Sequence, residues 1–584
     1  MLRLLTILAL ITAQAAAQTS TRASLGLAGD EGNDISYSPS ISADGRFVAF
    51  ETGATNLIPG DSNGNKDVLV RDLLLGVTAV VSVNSAGDQG SPGTGSHQPD
   101  TSSDGRYVAF HSFAPNFGSL GDVSGVSDIF LRDRDPDEDG LYDEANSTTV
   151  QVSLTGAGTQ PNGGSYNVRI SGDGTVVAFE SAASNLVVEG GPSGAGIFVR
   201  DLDTGINELV AKDLLDLPVN ASLQDLSRDG RHVVYSSNDP DIVTGDTNGF
   251  TDVFVHDRLL GTTVRISVDS FGAEGSNWSR DATLSEDGRY VAFFTKVGLV
   301  PTDTDFVGDM YLRDRDPDEN GLFDEGNGTT TLVSVNSFGV QTEGAIGETY
   351  APFVSDDGRF VAFSGGDSSG SCCDLVVEDT DGTFDVFLRD LETGLTTRMS
   401  VTDDGKSLGG KSWAPSLSAD GSLVAFGTWS ALDGADTNTH EDIYVRNQTL
   451  WRDIGWNMAG TIAPFPAPPD KSVPVLTGSG ALTAGSSGAL ELVQTTKGAT
   501  SHLFVGLANI SAGFKGGTLV PSPSLLISPL AVSTPGGPFG GWTLAFTWPG
   551  GVPSGAVFYF QVWVEDVAGP FGLVSSNGLS ATTP

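Results

Sequence analysis

The apolar positions of this chain fall in short continuous runs, and the runs recur in register. Ser42-Ala43-Asp44-Gly45-Arg46-Phe47-Val48-Ala49-Phe50 returns as SSDGRYVAF at 102–110, GDGTVVAF at 172–179 and SRDGRHVVY at 227–235. It returns again as SEDGRYVAF at 285–293, SDDGRFVAF at 355–363 and SADGSLVAF at 418–426. The seven Asp-Gly pairs begin at Asp44, Asp104, Asp173, Asp229, Asp287, Asp357 and Asp420, about 63 residues apart on average, which is long for one propeller blade. Each unit adds a second run, Asp67-Val68-Leu69-Val70-Arg71-Asp72 in the first, and a third, Thr78-Ala79-Val80-Val81-Ser82-Val83. Four strands per unit are therefore expected: A before the Asp-Gly pair, B after it, then C and D. Asp-Gly predicts a two-residue type I′ hairpin between A and B, with positive φ at both central residues. The unbroken apolarity of B predicts a strand buried on both faces between neighbouring sheets. Small four-stranded sheets repeated in this way predict an all-β fold, a seven-bladed β-propeller.

The ring can be closed on paper. Unit seven has A, B and C, the last as Ile443-Tyr444-Val445-Arg446, and then runs into QTLWRDIGW, which lacks the D pattern. Ser20-Thr21-Arg22-Ala23-Ser24-Leu25 matches the D strand of unit four, Thr263-Val264-Arg265-Ile266-Ser267-Val268. The start of the mature chain is thus expected to supply the fourth strand of blade seven, so that first and last blades share a sheet and no edge is left open. The two ordered motifs, S-x-D-G-[KR]-x-[IV]-A-F and then D-[IV]-[FY]-[VL]-x-D, resemble the TolB-like (WD-like) propeller repeat family over about residues 20–447.

Composition narrows the setting. With 30 Lys+Arg against 73 Asp+Glu the net charge is −43, which excludes nucleic acid as a default partner because no counterion release would drive binding. Gly 76 and Pro 28 argue against long helices, while 39% hydrophobic residues suffice for a sizeable core. Residues 1–17 read as a signal peptide: Arg3, the apolar stretch 4–12, then Ala15-Ala16-Ala17 as a cleavage site. No later run approaches 18 apolar residues, so a secreted or periplasmic protein without membrane insertion is expected. Cys372 and Cys373 adjoin, so they cannot staple distant parts of one chain; a vicinal disulfide or a quiet thiol pair is expected.

Units two and five carry an insertion between C and D. It reads Asp135-Pro136-Asp137-Glu138-Asp139-Gly140-Leu141-Tyr142-Asp143 in one and Asp316-Pro317-Asp318-Glu319-Asn320-Gly321-Leu322-Phe323-Asp324 in the other. A hard Ca²⁺ ion takes six to eight oxygens, and alternate carboxylates around a glycine wrap a backbone about one ion. The expected ligands are Asp135, Asp137, Asp139 and Asp143, and Asp316, Asp318, Asn320 and Asp324. An EF-hand needs a Glu at position twelve, where Asn146 and Asn327 stand; the nine-residue spacing resembles instead the calcium loop of integrin α and FG-GAP propellers. A thinner acidic pattern lies in the B–C loops, as in Asp61-Ser62-Asn63-Gly64 with Asp67, Asp246-Thr247-Asn248-Gly249 with Asp252, and Asp379-Thr380-Asp381-Gly382 with Asp385. Asx-turn chemistry accounts for these loops as well as a metal does.

Seven residues before each Asp-Gly stand Tyr37, His97, Tyr166, Ser222, Arg280, Tyr350 and Trp413. Strand A is innermost in a propeller, so these positions form a ring at one mouth of the central channel, either a binding surface for a sugar or cation or an aromatic seal between blades. Enzyme signatures are thin: six His residues without HExxH, and one Gly366-Asp367-Ser368-Ser369-Gly370 followed by Cys-Cys-Asp where a nucleophile elbow needs a helix. Residues 18–459 are assigned to the propeller, 460–473 to a Pro-rich linker and 474–584 to a β-sandwich module with few charges. The expected function is binding of an extracellular protein or glycan; the rival is a lyase or glycoside hydrolase acting on polysaccharide.

Overall fold

The computed structural model describes residues 19–448 except 119–124, 189, 305–306, 342–350, 367–374, 377–381, 404 and 407, together with backbone strands between 451 and 582. Residues 1–18, Tyr350, the Cys372-Cys373 pair and residues 460–473 lie outside the described residues. Ser20–Arg446 form one compact unit.

That unit is a seven-bladed propeller of four-stranded antiparallel sheets. In blade one, A is Ser36–Ile41, B is Phe47–Thr52, C is Asp67–Asp72 and D is Val77–Val80. Every residue of Phe47–Thr52 is buried, as its apolarity requires of a strand sandwiched between sheets. Strands A of neighbouring blades touch one another, which places them innermost. Blade seven consists of Ser412–Leu417, Leu423–Thr428, Asp442–Asn447 and, as its D strand, Ser20–Arg22. Ser20, Thr21 and Arg22 pair with Arg446, Val445 and Tyr444. The closing strand also brings its share of a recurring buried bond. Ser24 Oγ donates to Asp442 Oδ1 at 2.5 Å, as Ser82 does to Asp67 (2.7 Å), Ser153 to Asp128 (2.6 Å) and Ser267 to Asp252 (2.5 Å). Blade three has Gly196 and Ala211 at these two positions, losing donor and acceptor together so that neither is left unsatisfied.

The A–B link departs from a type I′ hairpin. Ser42 O accepts from Gly45 N (2.9 Å), Ser42 N donates to Phe47 O (2.9 Å), and only the glycine takes a positive φ, +74°. The reason is the motif's own side chains. Ser42 Oγ accepts from Phe47 N at 3.0 Å and donates to Asp44 Oδ1 at 2.5 Å, and the same carboxylate oxygen accepts from Arg46 N at 2.9 Å. The aspartate thus holds the four-residue loop without entering left-handed space. The glycine has a second duty: a Cβ on Gly105 (φ +69°) would lie 2.4 Å from Phe47 Cδ2 of the preceding blade, and one on Gly45 2.5 Å from Leu423 Cδ1 of blade seven. Gly105→Ala is expected to cost roughly 2–4 kcal/mol, combining a left-handed penalty with overpacking. Denaturant unfolding checks it, and a loss below about 1 kcal/mol would show that Phe47 yields without cost.

Backbone bonds also lace successive A–B turns around the axis. Asp44 N donates to Ser103 O (3.2 Å), Ser103 N to Gly172 O (2.8 Å), Gly172 N to Arg228 O (2.7 Å), Asp356 N to Ala419 O (2.9 Å) and Ala419 N to Ala43 O (3.0 Å). One end of the channel is thereby drawn together, and the B–C and D–A loops emerge at the opposite end.

Beyond the propeller, Val475–Gly480, Ser487–Thr495 and Gly540–Thr547 form one antiparallel sheet. Thr500–Gly506, Leu525–Ala531, Val557–Glu565, Leu579–Thr582 and Trp451–Asp453 belong to a second. Among the described residues no helix is long and apolar enough to cross a membrane.

Candidate functional site

Each ring position among the described residues sits at a bulge. The A–B register slips after Tyr37, His97, Tyr166, Arg280 and Trp413, and the residue that follows each takes a left-handed φ: Ser38 (53°), Gln98 (48°), Asn167 (51°), Asp281 (53°) and Ala414 (50°). Non-glycine residues seldom adopt this conformation, and five repeats of it at one mouth mark a built feature of that end. In blade four Ser222 precedes a slip without a positive φ.

The bulges gather side chains around buried carboxylates that motif reading had passed over. Glu51, at the end of strand B and 2% exposed, accepts from the Tyr37 hydroxyl; its Oε1 lies 2.7 Å from His97 Nδ1, and its Oε2 accepts from Gln98 N at 3.3 Å. Lys66 Nζ bonds the Tyr37 hydroxyl and stands 3.6 Å from Glu51 Oε1, above the Tyr37 ring. Burial alone would raise the Glu51 carboxyl, but the bonds from His97 and Tyr37 hold it below its ordinary value. His111, whose ring centroid is 5.3 Å from that of His97, is pushed down to about 4, chiefly by burial. Two blades on, Glu180 Oε1 plays the same bridging part, accepting from Asn167 Nδ2 (2.8 Å), Ser222 Oγ (3.0 Å) and Leu223 N (2.7 Å).

Tyr166 is 38% exposed beside Glu180, and Arg280 stacks at 4.4 Å over Trp278, with Lys296 at 5.0 Å from the same ring. Trp413 Nε1 donates to Glu441 Oε1 at 2.5 Å; burial pushes Glu441 up to about 7 against that bond. Tyr37, His97 and Trp413 thus fall within one network spanning blades seven, one and two, where Glu441 acts on Tyr37 through its charge. Arg280 and Trp278 lie in blade five.

The insertions after strand C form twin loops. Asp135, Asp137 and Asp139 each offer a carboxylate oxygen within 4.8 Å of the others. Asp139 N and Gly140 N donate to the Asp135 carboxylate at 3.1 and 3.0 Å, and Asn320 N and Gly321 N do the same for Asp316 at 3.1 and 2.8 Å. The ninth-position carboxylates pair with arginines. Asp143 grips Arg134, with Oδ1 2.9 Å from Nε and Oδ2 2.6 Å from Nη2; Asp324 grips Arg315, its Oδ2 at 2.6 Å from Nη2. A buried guanidinium outcompetes a solvent-side position for those carboxylates, since bidentate pairing satisfies both ions at once. In the second loop Asn320 Nδ2 donates to Asp318 (3.2 Å) and Glu325 (2.7 Å). The trio Asp135, Asp137 and Asp139 can hold a metal ion; the chemistry of its all-oxygen donors suits a hard cation.

The Arg-Asp ends of strand C are frame. Arg46 pairs with Asp72 (2.7 Å), Arg106 with Asp133 (2.9 Å), Arg289 with Asp314 (2.9 Å) and Arg359 with Asp390 (2.7 Å) across the B–C hairpins.

No family model and no curated protein matches the chain. Among solved structures it is similar to a putative TolB from Agrobacterium tumefaciens (15% identity, 51% of this chain and 80% of that one, TM-score 0.29). It is also similar to an oligogalacturonate lyase in complex with manganese (11% identity, 74% and 97%, TM-score 0.42) and to an oligogalacturonate lyase from Vibrio parahaemolyticus (11% identity, 74% and 98%, TM-score 0.39).

Proposed function

We propose that this is an exported, calcium-supported propeller that binds an extracellular ligand at the bulged mouth of its channel. The observation that carries the reading is a concentration of cations and aromatics on a chain of net charge −43: Lys66 on Tyr37, Arg280 and Lys296 on Trp278, and Lys411 near the Phe384 ring. Positive groups beside flat apolar faces suit an acidic glycan, which offers carboxylates to the former and sugar faces to the latter. In this reading Ca²⁺ sits on the Asp135 loop, with Asp316 and Asp318 holding a second ion. The test is an array of neutral glycans, acidic glycans and peptides, followed by titration of hits. Acidic glycans should bind, and Lys66→Gln with Arg280→Gln should weaken them at least tenfold while the melting temperature stays put. Equal affinity for neutral glycans, or no glycan bound, would refute it.

One observation favours catalysis as the second reading. Glu51 is held ionised while Glu441 is pushed up to about 7, and both bear on Tyr37, which is how an acid and a base come to share a site. Product analysis of any bound glycan separates the readings, since cleaved chains would make the mouth an active site.

A further inference from the structure

The loops that follow strand C in blades two and five are near copies, yet they rest on different side chains. Each lies over the residue that follows Asp-Gly-Arg in the preceding blade. Under the blade-two loop this residue is Phe47. Its ring centroid is 4.6 Å from that of Tyr142, and the guanidinium groups of Arg134 and Arg46 each lie 4.6 Å from its centre. An aromatic ring attracts both cations and carries no charge at any pH. Under the blade-five loop the same position is His232, the first residue of strand B of blade four, His232–Ser237. Its ring centroid is 5.5 Å from that of Phe323, and a Cβ on Gly288 would lie 2.5 Å from its Nδ1. Arg315, whose Nη1 donates to Gly288 O at 2.7 Å, is the counterpart of Arg134, and Arg231 is that of Arg46.

His232 is 0% exposed, and neither ring nitrogen makes a hydrogen bond. Nε2 stands 3.5 Å from Asp257 Oδ2, but that carboxylate is already occupied. Arg231 Nε donates to its Oδ1 at 3.0 Å and Nη2 to its Oδ2 at 2.6 Å, while Leu259 N and Leu260 N donate to Oδ1 at 2.9 and 3.1 Å. The charges that bear on the ring are Arg315 from the blade-five loop, Arg231 and Asp229 from the A–B turn of its own blade, and Asp257 from the end of strand C. A neutral imidazole can lie between two guanidinium groups as Phe47 does; an imidazolium would be a third cation in a space closed to water. Burial first, and Arg315 after it, push His232 down to about 4. This cluster lies at the A–B turn end of the propeller, and no residue of the mouth takes part in it.

We propose that His232 makes the seat of the blade-five loop acid-sensitive: protonation of its ring drives Arg315, Phe323 and the loop between them off blade four, while the blade-two loop stays on Phe47. To carry a proton the ring must reach water, and Arg315 and Phe323 are what cover it. Its value in the docked state lies below the ordinary imidazole value, so the lifted state binds the proton more readily. The seat is therefore intact above about pH 6.5 and is lost as pH falls toward 4. Between pH 7 and pH 5 this difference raises the opening equilibrium about twentyfold. The loop carboxylates cannot produce such a contrast. The two loops share them position by position except that Asn320 replaces Asp139, which leaves the blade-five loop with fewer groups to titrate. Neither an ion in the loops nor a ligand at the mouth is needed for the response.

The test is hydrogen–deuterium exchange of the whole chain in chelator, at pH 7 and at pH 5. The amides to read are those of Arg315 and Asp324, which bond Arg289 O (3.1 Å) and Arg315 O (3.0 Å). Their twins in blade two are those of Arg134 and Asp143, which bond Arg106 O (3.0 Å) and Arg134 O (2.8 Å). After correction for intrinsic exchange, acid should lower the protection of the first pair at least tenfold more than that of the second. His232→Phe, which copies blade one, should leave protection at pH 7 unchanged and remove the difference between the loops. His232→Tyr, after Tyr107 and Tyr290 at the same position, carries the test if the phenylalanine disturbs folding. Equal losses in the two loops of the intact protein, or an acid response that survives the substitution, overturns the role of His232.

Discussion

A chain lacking residues 18–30 is expected to lose the cooperative unfolding transition of the propeller. The deleted segment is three short rungs of sheet, Ser20–Arg22, yet it holds blade seven against its neighbours. Arg446 Nη1 bonds Ser20 Oγ and Val401 O, both at 2.8 Å, and Ala23 N donates to Ile443 O at 2.7 Å. Arg22 is buried among Glu31, Asp433, Asp436 and Asp442, so its removal strands a cluster of carboxylates with no cation. Each buried polar group left without its partner costs about 1–3 kcal/mol, and a broken buried ion pair about 3–5, so the total exceeds roughly 5 kcal/mol, a large share of any domain's stability. The third strand of blade seven also becomes an open edge, free to recruit another chain. Thermal or denaturant unfolding should show a broad, early transition with aggregation; a melting curve that overlays the intact protein's would mean that the ring holds without its closing strand.

The repeats made the frame legible because each blade repeats its own bookkeeping in sequence. Ser and Asp in S-x-D-G, Ser after strand D with Asp at the start of strand C, and Arg after Asp-Gly with Asp at the end of C are short-range pairs, and the second of them vanishes as a pair in blade three, where Gly196 and Ala211 stand. The mouth was less legible. Glu51 reaches His97 and Glu180 reaches Leu223 across a blade boundary, more than forty residues along the chain, and the lone signal was a glutamate directly after an apolar strand in RFVAFE and TVVAFE. Asp143 and Asp324 occupy the ninth position of a calcium pattern, but the Arg immediately before each loop, Arg134 and Arg315, is repeated with equal fidelity and takes them first.

That competition sets the second large effect. Arg134 is 2% exposed: Nε and Nη2 hold Asp143, Nη1 donates to Gly105 O at 2.6 Å, and the guanidinium lies 4.6 Å from the Phe47 ring centroid and 5.0 Å from that of Tyr142. One side chain therefore ties the loop of blade two to the A–B turn of its own blade and to strand B of blade one. Arg134→Ala should destabilise the chelator-treated protein by about 3–5 kcal/mol, the usual cost of removing one member of a buried pair. The freed Asp143 can then turn toward Asp135, Asp137 and Asp139, where four carboxylates repel until a cation joins them. Calcium should accordingly restore more stability to the variant than it adds to the intact protein, because binding to the folded state alone stabilises it in proportion to affinity. Arg134→Ala combined with Asp143→Ala should recover part of the loss without calcium, having removed the unpaired charge, and should lose the extra calcium response. Denaturant titrations in chelator and in excess Ca²⁺ read all three proteins. If the calcium-dependent gain is the same with and without Arg134, Asp143 takes no part in holding the ion, and the arginine alone fastens the loop.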